Sequence, residues 1–196
     1  MTVSKLPLQD LLRDVRSCRH CEKTLPLGPN PVLRVGASAR LLIVGQAPGT
    51  RVHASGVPWD DPSGKRLRQW LALAPEQFYD ESSVAILPMG FCYPGRGKSG
   101  DLPPEKDCAP LWHEALLQHL SQIELVLLVG SYSQNYYLGS SKETLTQRVQ
   151  RWRDFTPRFL PLPHPSPRNT LWLRRNPWFE LEVVPELQQR VQQIFA

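Results

Sequence analysis

No apolar run in this chain is long enough to cross a bilayer, which argues against a helical membrane protein. The opening residues, Met1-Thr2-Val3-Ser4-Lys5, lack the apolar core of a secretory signal. A cytoplasmic protein is therefore expected. Cysteine is scarce, with four in 196 residues. In a reducing compartment those thiols are not expected to pair as disulfides. There is no internal repeat, no low-complexity tract and no composition break that marks a domain boundary. One domain over residues 1–196 is expected, with length enough for a sizeable core.

What the chain has in plenty is proline, twenty residues in all. They gather at 26–31, 88–110 and 157–177, which predicts long ordered loops rather than disorder. The formal charge is +5 and the pI about 9.2. That balance permits an anionic partner without requiring one. The basic residues cluster as Lys65, Arg66 and Arg68; Arg96 and Lys98; Arg148, Arg151 and Arg153; and Arg168, Arg174 and Arg175. All but the 148–153 group adjoin Gly- or Pro-rich loops, where the phosphates of a nucleic acid can be met. That remaining group reads equally well as a solvated helix face.

Four short apolar runs read as buried strands: Leu41 to Val44, Val84 to Leu87, Leu125 to Val129 and Phe159 to Leu162. Gly45 and Gly130 end two of them. Helices are predicted over 7–16, 64–73, 105–120, 131–138, 142–152 and from Pro177 to about 194. Ser63 is the expected N-cap of the second, and residues 18–40 read as loop. Strands alternating with helices imply parallel crossovers. The fold class is therefore α/β: a three-layer α/β/α domain around a four-stranded, mostly parallel sheet. In such sheets ligands bind beyond the C-terminal strand ends. The loops beginning at Gly45, Pro88 and His164 all lie there.

Two of those loops carry chemistry. His164-Pro165-Ser166-Pro167-Arg168-Asn169 sets imidazole, hydroxyl, guanidinium and amide on a backbone stiffened by two prolines. Gly45-Gln46-Ala47-Pro48-Gly49 is a tight turn whose backbone can approach a ligand closely. Its N–H groups suit a water or a developing anion. Either loop read alone is also an ordinary turn. Cys18 and Cys21 form a C-x-x-C pair, with Cys92 and Cys108 far downstream. Four thiolates suit tetrahedral zinc or a [4Fe–4S] cluster, and spacing alone leans slightly to zinc.

Gly45-Gln46-Ala47-Pro48-Gly49, then Gly56-Val57-Pro58-Trp59, then His164 to Asn169, together resemble the uracil-DNA glycosylase superfamily. The first motif is similar to that of its family 4 and 5 members. The last is similar to that of the single-strand-selective monofunctional branch. This resemblance implies base excision from DNA after the target nucleotide leaves the stack. It implies His164 as the donor to the departing base. Ala47 stands where the commonest branch has an Asp, and Gln46 where family 4 has a Glu, so Asp60 or Asp61 is expected to activate water with Gln46 orienting it. Trp59 is expected to stack on the base. Gly45, Ala47, Pro48 and Gly49 should line the pocket. Ser166, Arg168 and Asn169 should hold the DNA backbone or His164. Leu171, Trp172 and Leu173 are candidates for the wedge into the duplex. Pro88 replaces a base-reading Asn, which leaves strict uracil reading open. The resemblance also turns the cysteine reading towards a [4Fe–4S] cluster, with zinc as the alternative. A monomer acting on DNA is expected. The alternatives are a non-catalytic nucleic-acid-binding member of the same fold, or a zinc-stabilised nucleotide hydrolase.

Overall fold

A computed structural model describes residues 6–98 and 100–196; the signal-peptide reading of residues 1–5 lies outside them. The strands are β1 (Leu41–Val44), β2 (Val84–Ile86), β3 (Arg96–Gly97), β4 (Gly100–Asp101), β5 (Leu125–Val129) and β6 (Phe159–Leu162). The helices are α1 (Leu8–Arg16), α2 (Thr50–Ser55), α3 (Pro62–Leu71), α4 (Pro75–Phe78), α5 (Cys108–Leu117), α6 (Ser131–Leu138), α7 (Leu145–Gln150), α8 (Thr170–Arg175) and α9 (Val184–Phe195). The expected sheet forms in the order β2-β1-β5-β6 and is parallel throughout. Leu41 sits between Val84 and Leu125, which fixes the register of its centre.

β1 and β5 are buried at every position, as strands covered on both faces must be. Alternate side chains feed two separate cores. Leu41, Ile43 and Leu127 join Leu67 and Trp70 of α3 and Leu187 and Val191 of α9. Leu42, Val44 and Leu128 join Leu11 and Val15 of α1 and Leu116 of α5. This is the three-layer arrangement. The chain runs from β1 outward to β2, then returns to the other side of β1 for β5 and β6. The order therefore reverses between β1 and β5, and the crevice of such a sheet opens beyond their C-terminal ends.

Local chemistry shifts several expected boundaries. The helix expected over 64–73 is α3, and it is capped by Asp61, not Ser63: Asp61 Oδ1 accepts the Gly64 N–H at 2.7 Å. Pro62 takes the first helical position, where its missing N–H costs nothing, so the cap must precede it. The same helix stops at Leu71 because Ala72 turns left-handed, with φ of 52°. The fifth helix occupies only Cys108–Leu117, and the stretch 142–152 divides into α7 and a 3₁₀ turn at Trp152–Phe155. Pro177 precedes a π-helical turn, Phe179–Val183, that runs into α9. The short elements α2, α4, α8 and the β3–β4 hairpin have no counterpart in the sequence reading; each is too brief for a hydrophobic period to show.

The basic cluster at 148–153 is not simply a solvated face. Arg148 is buried, and its guanidinium donates to Asn135 Oδ1 at 2.9 Å, Gly139 O at 3.0 Å and Ser141 Oγ at 2.8 Å. Two members of the 65–68 cluster are structural as well. Arg68 donates to the Trp59 carbonyl at 3.3 Å and the Tyr79 hydroxyl at 3.1 Å. Arg66 donates to the Ser166 carbonyl at 3.1 Å, across a hundred residues of sequence.

Candidate active site

A cleft of about 400 Å³ opens beyond β1 and β6. That volume suits one small-molecule group such as a nucleobase with its water. Its walls come from the 45–49 loop, α2, the start of α3, Pro88, the β3–β4 hairpin and the loop after β6. Gly45, Gln46, Ala47, Pro48, Gly49, Trp59, Asp61, His164, Ser166, Arg168 and Asn169 all line it. Asp60 does not; it faces Arg51 at 3.8 Å. Leu171 is exposed, whereas Leu173 is buried and Trp172 is tied through Nε1–H to Thr146 Oγ1 at 2.8 Å.

The loop after β6 is held from several sides. His164 Nδ1 accepts the Ser166 N–H at 3.2 Å, so the ring proton belongs on Nε2. Asn169 Nδ2 donates to the His164 carbonyl at 2.7 Å. Ser166 Oγ accepts the Arg168 N–H at 3.3 Å, an ordinary 3₁₀ cap. Arg66 clamps the loop from below through the Pro165 and Ser166 carbonyls. Burial pushes the His164 imidazole below its usual value of 6.5, and the charges of Asp61 and Asp101 oppose that only in part. At neutral pH the ring is uncharged and offers one N–H donor.

Trp59 closes the cleft beside it, with ring centroids 5.8 Å apart and planes tilted by 35°. Its φ is +60°, a conformation a bulky residue adopts only when its surroundings enforce it. Two glycines do so. A Cβ on Gly64 would stand 1.8 Å from the Trp59 carbonyl oxygen, and one on Gly45 would stand 2.7 Å from Trp59 Cζ2. The Gly45 and Gly64 positions therefore set the indole.

The 45–46 backbone is bonded to the segment after β2: Met89 N–H donates to Gly45 O at 2.9 Å and Gly90 N–H to Gln46 O at 3.0 Å. The Gln46 side chain donates to the Leu102 carbonyl at 3.4 Å. Pro88 is held from the far side by His113, which is buried. Its Nε2 donates to the Pro88 carbonyl at 3.0 Å, so Nδ1 accepts from the Tyr137 hydroxyl at 2.7 Å.

Burial pushes the His113 imidazole down to about 4, from 6.5. In the unfolded chain the ring takes a proton below 6.5, and in the folded protein only below about 4. Stability is thus complete above that window and falls as the pH drops through it. At about 1.36 kcal/mol per unit, the loss is up to roughly 3 kcal/mol. His113→Gln should remove this part of the dependence of Tm on pH. Thermal melts at constant ionic strength check it, and an unchanged slope would assign the effect to another group.

Two polar wall residues, Ser63 and Asp101, and one residue behind the wall, Arg66, had no functional signal in the sequence. Ser63 and Asp101 line the cleft, and Arg66 holds its His164 loop. Asp101 lies in a hairpin with no periodic signal. Lys65, Arg66 and Arg68 read as a phosphate patch because a charge cluster carries no mark of what it bonds.

The four cysteines face a second, smaller cavity at the other end of the same post-β2 segment. Cys108 Sγ accepts the Phe91 N–H at 3.3 Å. Burial pushes the Cys108 thiol up to about 12, with the Phe91 N–H opposing, and the Cys92 thiol up to about 11, with the Asn30 N–H opposing. The charges of Cys18 and Cys21 raise both, and that of Cys92 also raises Cys108. Among the described residues, no group of three or more His, Cys, Asp or Glu is closed tightly enough to hold a single metal ion.

A parallel α/β sheet with a polar cleft at its switch point, walled by a neutral histidine and a tryptophan, is a nucleobase-sized site on a doubly wound scaffold. The family model of the uracil DNA glycosylase superfamily matches residues 34–188, and the chain belongs to that superfamily. That membership supports a uracil-DNA glycosylase-like function in general. Among the described residues no helix is long and apolar enough to cross a membrane.

Proposed function

We propose that this protein is a monofunctional DNA glycosylase that hydrolyses the N-glycosidic bond of uracil or a related deaminated base. The observation that carries this reading is His164: an uncharged ring, with Nδ1 occupied and Nε2–H available, set in the cleft beside Trp59. A flipped uracil stacks on the indole and directs O2 at that donor. As the bond to C1′ breaks, the base departs as an anion, and the hydrogen bond from Nε2 stabilises the charge. A carboxylate of the cleft wall, Asp61 or Asp101, takes a proton from the attacking water. No lysine lines the cleft among the described residues, which favours simple hydrolysis over strand cleavage through an amine.

The cysteines are read as the ligands of a [4Fe–4S] cluster. Four thiols that line one cavity make a donor set for a [4Fe–4S] cluster or for zinc, and the likeness of the motifs to the iron–sulfur members of the superfamily favours the cluster. Cys18, Cys21, Cys92 and Cys108 would hold it, and it would tie the segment after α1 to the segment after β2. When bound it supplies a structural anchor, and no step of base excision passes through it.

Single-turnover assays on oligonucleotides bearing uracil, hypoxanthine or xanthine, single- and double-stranded, test the function. Release of free base from the uracil substrate, leaving an alkali-labile abasic site, is expected. Binding without release from any substrate would favour the non-catalytic reading, for which Ala47 and Pro88 already argue.

A further inference from the structure

We propose that Asp101, carried by the β3–β4 hairpin, is the carboxylate that activates the attacking water. The assignment rests on the glycosylase reading and names the base that the 45–49 loop does not contain.

Three carboxylates lie near the cleft, and their surroundings separate them. Asp60 stays outside it and pairs with Arg51. Asp61 lines the cleft but spends Oδ1 on the Gly64 N–H, where it caps α3. Asp101 lines the cleft, and among the described residues no donor bonds its carboxylate and no cation pairs with it. A base must have a lone pair to give, and Asp101 is the wall carboxylate with both oxygens unspent.

Its position is fixed by its neighbours. In the strand register of the hairpin the backbone of Asp101 stands opposite that of Arg96, and Gly100 opposite Gly97. Leu102 N–H donates to Gly95 O at 2.9 Å, and Leu102 O accepts from Gln46 Nε2 at 3.4 Å. On the other side Gly100 lies against the Arg168 guanidinium, and a Cβ there would stand 2.1 Å from Nη1. Gly100 and Leu102, on either side of Asp101, thus rest against the loop of His164 and the loop of Gln46. Asp101 Oδ2 hangs over Gly49, 3.5 Å from where a Cβ there would be. The absence of a side chain at Gly49 leaves that space open to a water. The carboxylate is also near enough for its charge to act on His164. Base and leaving-group donor therefore belong to one cleft, reached from two different loops.

The step balances simply. The bond from C1′ to the base nitrogen breaks, and its electron pair leaves on the base, whose O2 takes the hydrogen bond from His164 Nε2. The water oxygen bonds to C1′ while Asp101 accepts one of the water protons, which then passes to the released base. The products are free base and an abasic deoxyribose. Asp61 is in this account a positioning residue: it caps α3 and so holds Gly64 against Trp59.

The test compares Asp101→Asn, Asp61→Asn and Asp60→Asn in the full chain, under single-turnover conditions on a uracil oligonucleotide. Asp101→Asn should excise roughly a hundredfold or more slowly, the scale of losing a general base, with Tm and oligonucleotide affinity unchanged. Asp61→Asn keeps a capping side chain, since Asn caps as well as Asp, and should stay within about tenfold of the parent. Asp60→Asn should match the parent. Asp101→Ala supplies a readout that a structural carboxylate would not move: added formate should restore part of its rate and none of that of His164→Ala. A fully active Asp101→Asn beside an active parent overturns this assignment alone. A parent that releases no base from any substrate overturns the glycosylase reading, and the assignment with it.

Discussion

Replacing His164 by Ala should slow single-turnover excision by roughly a hundredfold or more while changing DNA affinity little. That is the scale of removing one preorganised donor to a developing anion. The donor is preorganised because Nδ1 is occupied by the Ser166 N–H, and because Arg66 and Asn169 hold the loop on either side. It is uncharged because burial outweighs the neighbouring carboxylates. The sign of that shift gives a second observable. A ring whose pKa is lowered below 6.5 is already neutral above it, so raising the pH from there into the weakly alkaline range removes no proton from His164. The parent rate should be level across that range. A rate that falls there would mean that an imidazolium is the donor. A His164→Ala variant as fast as the parent would remove the histidine from the mechanism altogether.

Protein purified without oxygen should be brown, with broad visible absorption that bleaches on reduction. Changing Cys92 or Cys108 to Ser should abolish the colour and lower Tm by roughly 10 °C; at this chain length each kcal/mol lost lowers Tm by about 2–4 °C. These two should matter most, because their thiols are half-buried and take the N–H groups of Asn30 and Phe91. With no metal, the half-buried Cys92 and Cys108 thiols, and the segment that ends at Cys92, lose their common anchor. That segment, 88–92, also carries Pro88 of the cleft wall, so excision should fall along with stability. Elemental analysis decides between the two metals. One zinc per chain and no iron in an anaerobic preparation would overturn the cluster.

The sheet is legible in the sequence alone. Leu41 to Val44, Leu125 to Val129 and Phe159 to Leu162 are strands with the expected limits, because a strand buried on both faces writes itself as an unbroken apolar run. The cleft loops were legible for a related reason: a Gly or Pro that ends such a run marks where the backbone leaves the sheet. Helix ends were read less well. Ser63 and Asp61 are both good caps, and only the position of Pro62 decides between them. The hairpin over 96–101 was missed because two-residue strands leave no period.

The sequence by itself determined the layering, the strand count, the face of the sheet that carries the chemistry and most of the residues on the cleft wall. Those follow from apolar runs, strand-ending glycines and short motifs, all of which are local in the chain. The tertiary structure alone decided what each polar side chain is free to do. It gave Asp60 to Arg51 and Asp61 to the N-terminus of α3, and left Asp101 facing the cleft. It turned Arg66 and Arg148 from surface charge into structural donors. It placed Trp59 at positive φ by the close approach of Gly45 and Gly64. A hydrogen bond across a hundred residues has no trace in local composition, because it depends on which loops the sheet brings together and not on what stands beside each residue in the chain.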